Sequence, residues 1–172
     1  LAKPLPPYSV ETNQTYYVQA LEIISLGSPL STENQLIGEF WSDDHPGLMF
    51  TPPGHWLAIT NQVIEKEHPS IEKTLETYLK VGFALSDAMV ATWYSKYIYN
   101  LERPESYIQR NIDPGWRPFS PTPSFPAYPS GHSMMGAAAA EVLCTMYGDT
   151  FKLDDKSHAM FPEFGIKPRC FN

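Results

Sequence analysis

Long apolar runs are missing from this chain. No stretch approaches 18 consecutive apolar residues, the length of a membrane-spanning helix, so no span is expected. Positive charge is also scarce: 12 Lys and Arg stand against 19 Asp and Glu, a net charge of −7. That balance argues against general nucleic-acid binding, which needs a basic face. The only cysteines are Cys144 and Cys170. Cys144 lies in an apolar helical stretch and reads as a buried thiol, and nothing in the sequence supports a disulfide between the two. No alternating apolar–polar pattern runs longer than four residues, and no internal repeat occurs. An export signal is not legible either. The first residue is Leu1 rather than Met, so upstream residues are expected to have been removed or left out.

What is present describes a globular protein with a sizeable core: 172 residues, 42% hydrophobic and 18% charged. Pro4, Pro6 and Pro7 make an extended arm. Tyr16 to Ile24 recur at helical spacing, with Gly27 as a stop. Ser31-Thr32 with Gln35 resembles a capping box before Leu36, Ile37, Phe40 and Trp41, and a loop is expected over 42–47. Thr51 can cap the next helix, with Pro52 and Pro53 in its first turn and Trp56, Ile59, Val63 and Ile64 as its apolar stripe. Ser70 caps a long helix over about 71–100. Its apolar residues cover most of its circumference after residue 78, which predicts a central helix buried on several sides. Pro104 ends or bends it. Residues 110–129 hold six prolines and read as an ordered, extended segment, a length that in a compact domain usually serves function. A last helix runs from 130 to about 147 and stops at Gly148. Residues 152–158 are polar and 159–172 irregular. The expected class is all-α, with residues 1–172 forming a single helical domain.

The stretch Phe125-Pro-Ala-Tyr-Pro-Ser-Gly-His-Ser133 concentrates the chemistry. Ser130 is an N-cap, so Ser130, Gly131 and His132 share a helix N-terminus, where free N–H groups and the helix dipole favour an anion. A hydroxyl, a glycine that admits a ligand to the backbone and an imidazole then make an oxyanion site with a proton donor or acceptor beside it. Lys96 and Arg103 are seven residues apart, close to two helical turns. They share a face with Trp93 if the helix runs that far. A Lys and an Arg converging near that turn suit a multiply charged oxyanion. Each part also has a plain reading: solvated helix-end charges, an ordinary cap, a structural histidine and turn chemistry.

The combination Lys96-x6-Arg103-Pro104 followed by Pro129-Ser130-Gly131-His132 resembles the first two signature motifs of a known superfamily. It joins type-2 phosphatidic acid phosphatases, bacterial acid phosphatases and vanadium-dependent haloperoxidases. Phe40-Trp41-Ser42-Asp43, Thr51-Pro-Pro-Gly-His-Trp56 and Trp93-x-x-Lys96 are similar to its soluble haloperoxidase branch, so the likeness covers roughly residues 36–150. The resemblance implies a helical bundle holding vanadate, or phosphate as substrate or ligand. Lys96, Arg103, Ser130 and the Gly131 N–H would bind its oxygens, and His132 would be the acid–base group. Trp93, Pro123 and Phe125 match positions lining a halide pocket; their other reading is aromatic core. The implied partners are a small anion with peroxide and halide, or a phosphoester. Members of this branch are often exported.

The third motif of that family, Ser-Arg-x5-His followed by Asp, does not occur. His158 is the only histidine after His132, and Arg169 follows it in the wrong order. The vanadium-ligating histidine, which is also the phosphatase nucleophile, is therefore expected downstream of Asn172. The chain would be part of a longer protein, inactive by itself, with the remainder joined to it or supplied as a separate chain. Three readings stay open: a vanadium-dependent haloperoxidase, a metal-free acid phosphatase acting through a phosphohistidine, and a non-catalytic oxyanion-binding helical domain. His45, His55 and His68 receive no catalytic role, and His55 is read as structural.

Overall fold

A computed structural model describes residues 3–27, 29–43, 50–162 and 165–171. His45 and most of the loop expected at 42–47 lie outside these. Among the described residues there are six α-helices: α1 (Thr15–Gly27), α2 (Thr32–Phe40), α3 (Pro52–Glu67), α4 (Ile71–Tyr99), α5 (Pro104–Asn111) and α6 (Gly131–Tyr147). The all-α expectation holds, with one addition. Strands β1 (Leu153–Asp155) and β2 (Arg169–Phe171) pair antiparallel, with Leu153 opposite Phe171. Three residues per strand are too few to show an alternating pattern, so this ribbon was not legible in a segment read as polar and irregular.

The helix starts follow local chemistry. Thr51 has extended backbone and its side chain accepts from the Gly54 N–H, while Pro52 and Pro53 fill the first turn, where no intrahelical donor is needed. Ser70 Oγ accepts from the Lys73 N–H at the head of α4. Ser130 caps α6 in the same way, through the Ser133 N–H. At α2 the capping box is half formed. Ser31 Oγ accepts from the Asn34 N–H, but the Gln35 amide donates to the Leu30 carbonyl. At the other end of α3, His68 takes the left-handed conformation (φ 46°) and its N–H donates to the Ile64 carbonyl.

The chain divides into two compact units, Leu1–Gly38 with Trp93–Pro129 and Glu39–Thr92 with Ser130–Asn172. The first unit is built on Ala20, Tyr107, Ile108 and Trp116, flanked by Tyr16, Tyr17, Ile24 and Ile112. Its proline arm is tied down where Tyr128 Oη donates to the Lys3 carbonyl at 2.9 Å. The second unit packs α3, α4 and α6 through Ile59, Val63, Val81, Leu85, Met135, Ala139 and Leu143. Each of these side chains except Ala139 contributes about 1.5–3 kcal/mol by leaving water.

Two expectations are corrected here. Helix α4 is not buried on several sides by the described residues. Thr77, Val81, Leu85 and Ala88 are buried, whereas Leu75, Leu79, Phe83 and Val90 are exposed. The apolar composition was read correctly, but composition does not say which faces find partners. Cys144, read as buried, is exposed, and both cysteines are free. On α6 the core row is Met135, Ala139 and Leu143, and one residue further turns about 100° away from it.

Candidate oxyanion site

Lys96 and Arg103 do converge, but not along one helix. Helix α4 stops at Tyr99, and Asn100 enters the left-handed region (φ 44°) with its N–H on the Lys96 carbonyl. Arg103 is instead the N-cap residue of α5, followed by Pro104 at its first position. Both side chains reach the extended segment that ends at Pro129. Lys96 Nζ donates to the Pro126 and Ala127 carbonyls at 2.8 and 3.3 Å, and Arg103 Nε donates to the Phe125 carbonyl at 2.6 Å. The Phe125 ring lies between them, its centroid 5.1 Å from Lys96 Nζ and 4.7 Å from Arg103 Cζ. Both distances suit a cation against an aromatic face.

Trp93, one turn before Lys96, packs on the same ring. Its centroid is 5.3 Å from that of Phe125, the planes tilted by 41°, and Lys96 Nζ sits 5.8 Å from the indole. Pro123 and Phe125 join Arg103 in lining an open cleft of about 660 Å³. The five predicted residues of this unit are therefore brought together.

Lys96 is almost wholly buried, and among the described residues its ammonium makes no ion pair with a carboxylate. Burial, and then the charge of Arg103, hold its pKa down at about 8. A lysine in that position favours an anion, because a bound negative charge would restore its ordinary basicity.

In the other unit, Ser130, Gly131 and His132 open α6 as the sequence predicts. Gly131 is the first helical residue, so its N–H has no intrahelical acceptor. The Nε2 atom of His132 is buried and has no hydrogen-bond partner among the described residues. A buried polar atom left in this way costs about 1–3 kcal/mol.

One buried polar cluster was missed in the sequence. His55 lies wholly buried between two carboxylates: Nδ1 is 2.9 Å from Asp43 Oδ2, and Nε2 is 3.0 Å from Asp155 Oδ2. Ionised carboxylates only accept, so both ring nitrogens must donate and the ring is an imidazolium. Burial alone would lower its pKa, but the hydrogen bonds that the ring donates to Asp155 and Asp43 outweigh that and raise it to about 9. Asp155 is likewise pushed up by burial. Its bonds from His55, Ser157 and Gln62 prevail and bring it down to about 2.

His158, the residue that stood in the wrong order for a third motif, is buried in the same cluster, where its Nε2 donates to the Phe40 carbonyl at 2.9 Å. Burial lowers its pKa. Asp43, His55 and His158 do place ligand-type atoms within 4.8 Å of one another. A metal would need His55 to give up a ring proton that already bonds a carboxylate, so the arrangement is that of an ion triad. The structural reading of His55 is borne out. The local sequence carries no sign of its partner Asp155, one hundred residues away. An apolar cavity of about 320 Å³, walled by Trp41, Trp56, Leu143 and Tyr147, includes none of the predicted site residues.

Comparison with known proteins points the same way. The family model for the VCPO second helical-bundle domain matches residues 110–169. Vanadium chloroperoxidase of Curvularia inaequalis is 27% identical over 136 residues, which take in 64% of this chain and 22% of that protein. The crystal structure of a bacterial vanadium-dependent iodoperoxidase superposes with a TM-score of 0.90 at 34% identity, over 98% of this chain. The chain spans 42% of that relative's length. No helix among the described residues is long and apolar enough to cross a membrane.

Proposed function

Because this chain belongs to the vanadium haloperoxidase superfamily, we propose that it carries part of the vanadate site of an enzyme that oxidises halide with peroxide. The observation that carries the reading is Lys96, a buried cation beside the Arg103 guanidinium with no carboxylate paired to it among the described residues. An oxyanion fits this donor set: an ammonium, a guanidinium, the Ser130 hydroxyl and the Gly131 N–H at a helix N-terminus. Assigning these two groups to one anion rests on motif order, Lys96-x6-Arg103-Pro104 and then Pro129-Ser130-Gly131-His132. Vanadate, when bound, supplies the Lewis-acid centre at which peroxide is activated. The chain's own residues supply charge at Lys96 and Arg103, orientation through the Gly131 N–H and Ser130, and a proton at His132 Nε2. Trp93, Pro123 and Phe125 make the apolar side on which a weakly hydrated halide would rest.

The test is an assay pair on the complete polypeptide: bromination of a dye with vanadate, peroxide and bromide, and hydrolysis of a phenyl phosphate ester without vanadate. Bromination supports the proposal. Ester hydrolysis inhibited by vanadate, without bromination, moves the assignment to the phosphatase reading. Loss of both leaves an oxyanion-binding domain.

Lys96→Ala gives a sharper readout by calorimetric titration with orthovanadate. Losing a charge-assisted hydrogen bond of about 1.5–3 kcal/mol should weaken binding by about tenfold to a hundredfold. In the parent, affinity should fall as pH rises through about 8, because the anion needs the ammonium form that is lost there. The variant should lack that step, and an unchanged affinity in it would remove Lys96 from the site.

A further inference from the structure

Residues 117–129 belong to no helix or strand, yet their carbonyls receive both cations of the candidate site. Prolines at 118, 121, 123, 126 and 129 leave the stretch few backbone donors with which to hold itself. An anion bound to Lys96 and Arg103 would compete with those carbonyls for the same N–H donors. The segment therefore needs anchors that do not involve the cations, and two are present. The Ala127 N–H donates to the Leu101 carbonyl at 2.9 Å. Tyr128 Oη donates to the Lys3 carbonyl at 2.9 Å, and the Tyr128 ring meets that of Tyr99, the last residue of α4, at 5.5 Å and 71°.

The second anchor is only as firm as the arm that carries Lys3. That arm is clamped at its far end. The Tyr8 ring lies 5.3 Å from that of Tyr16 in α1 and 5.7 Å from that of Tyr107 in α5, and the latter two lie 4.9 Å apart. Tilted and edge-on contacts at these distances are favourable for aromatic rings. Tyr107, which is buried, donates its hydroxyl to the Ser9 carbonyl. Between the two ends, Pro4, Leu5 and Pro6 line a cavity of about 360 Å³ together with Leu101 and Tyr128. Pro4, Pro6 and Pro7 restrict the backbone, so the arm is a stiff strut rather than a loose tether, and a hold at Tyr8 is transmitted to Lys3.

We propose that Tyr8 and Tyr128 are positioning residues for Lys96 and Arg103: Tyr8 anchors the arm, the arm fixes Tyr128, and Tyr128 holds the carbonyls of Phe125 to Ala127 where they aim the two cations. Each tyrosine acts through the segment and not through contact with the anion. The inference rests on the oxyanion reading of that site.

Amide exchange and anion titration on the complete polypeptide test it together. Tyr8→Ala should speed exchange of the Ala127 N–H and raise the dissociation constant for orthovanadate, each by about threefold to tenfold, the equivalent of one aromatic contact. Helix α6 should exchange at the parent rate. Tyr8→Phe keeps the ring and should restore both values. Tyr128→Phe removes only the hydroxyl and its bond to Lys3, and gives an independent reading of about twofold to tenfold if Tyr8→Ala does not fold. Unchanged exchange at Ala127 in Tyr8→Ala overturns the proposal. So does faster exchange with unaltered orthovanadate affinity, because the arm would then hold the segment without bearing on the site. Faster exchange in α6 as well overturns it, since the loosening would be general. Absence of orthovanadate binding in the parent defeats the oxyanion reading and this proposal with it, whereas parent binding that Tyr8→Ala leaves unchanged defeats this proposal alone.

Discussion

Replacing His55 by alanine should cost about 3–5 kcal/mol of stability, the range for breaking a buried ion pair by removing one partner. For a chain of this size that corresponds to a fall in Tm of about 10 °C. The physical reason is the pair of carboxylates it leaves behind. Asp43 and Asp155 are buried, each within 3.0 Å of a ring nitrogen. Without the imidazolium, two like charges remain in a poorly solvated interior. Asp155 keeps its bonds from Gln62 Nε2 and the Ser157 N–H, so the substitution strands charge rather than dissolving the whole cluster.

The pH dependence gives this prediction its signature. An imidazole whose pKa rises on folding contributes stability that is complete below its ordinary value of 6.5 and is lost as pH rises through about 9. A carboxyl whose pKa falls contributes stability that is complete above 3.8 and is lost as pH falls through about 2. Both contributions are therefore whole between about pH 4 and 6.5. Thermal melting of the parent should show Tm falling from neutral pH towards 9, and His55→Gln should show that slope flattened. A Tm for His55→Ala within 2 °C of the parent at pH 6 would mean that the triad does not hold this unit together.

His132→Ala in the complete polypeptide should lower halide oxidation by about 10²–10⁴-fold, the usual range for a lost general acid–base group, while orthovanadate affinity changes only a few-fold. The residue is the second of α6, and its buried Nε2 has no partner among the described residues. On the proposed reading that atom exchanges a proton and does not tie down the helix. On the same reading the anion's charge is met by groups other than His132, so binding should survive. His132→Gln separates the roles further, since an amide can hydrogen-bond but cannot carry the proton. Near-normal turnover in either variant would take His132 out of the chemistry. Joint loss of turnover and affinity would make it a binding group instead.

Part of the candidate site was legible because its signals are local. Thr51, Ser70 and Ser130 announce helix starts through a side-chain oxygen placed three residues before a free N–H, and the structure forms all three caps. The grouping of Lys96, Arg103, Trp93, Pro123 and Phe125 was expected as well, though by the wrong route. The sequence suggests a long helix ending near residue 100, with Arg103 on the same face as Lys96 only if the helix ran that far. In the structure the helix ends at Tyr99 and Arg103 caps α5. The two cations meet because the proline-rich segment presents the carbonyls of Phe125 to Ala127 to both.

The sequence by itself determined the helical class and the helix starts, because capping, periodicity and proline geometry act within a few residues. Tertiary structure alone decided three further matters. It set His55 between Asp43 and Asp155, residues twelve and one hundred positions away. It paired two strands too short to show a pattern. It also separated the covered face of α4 from the open one. Each depends on which surfaces meet, and apolar periodicity shows that a face seeks a partner without saying where the partner lies.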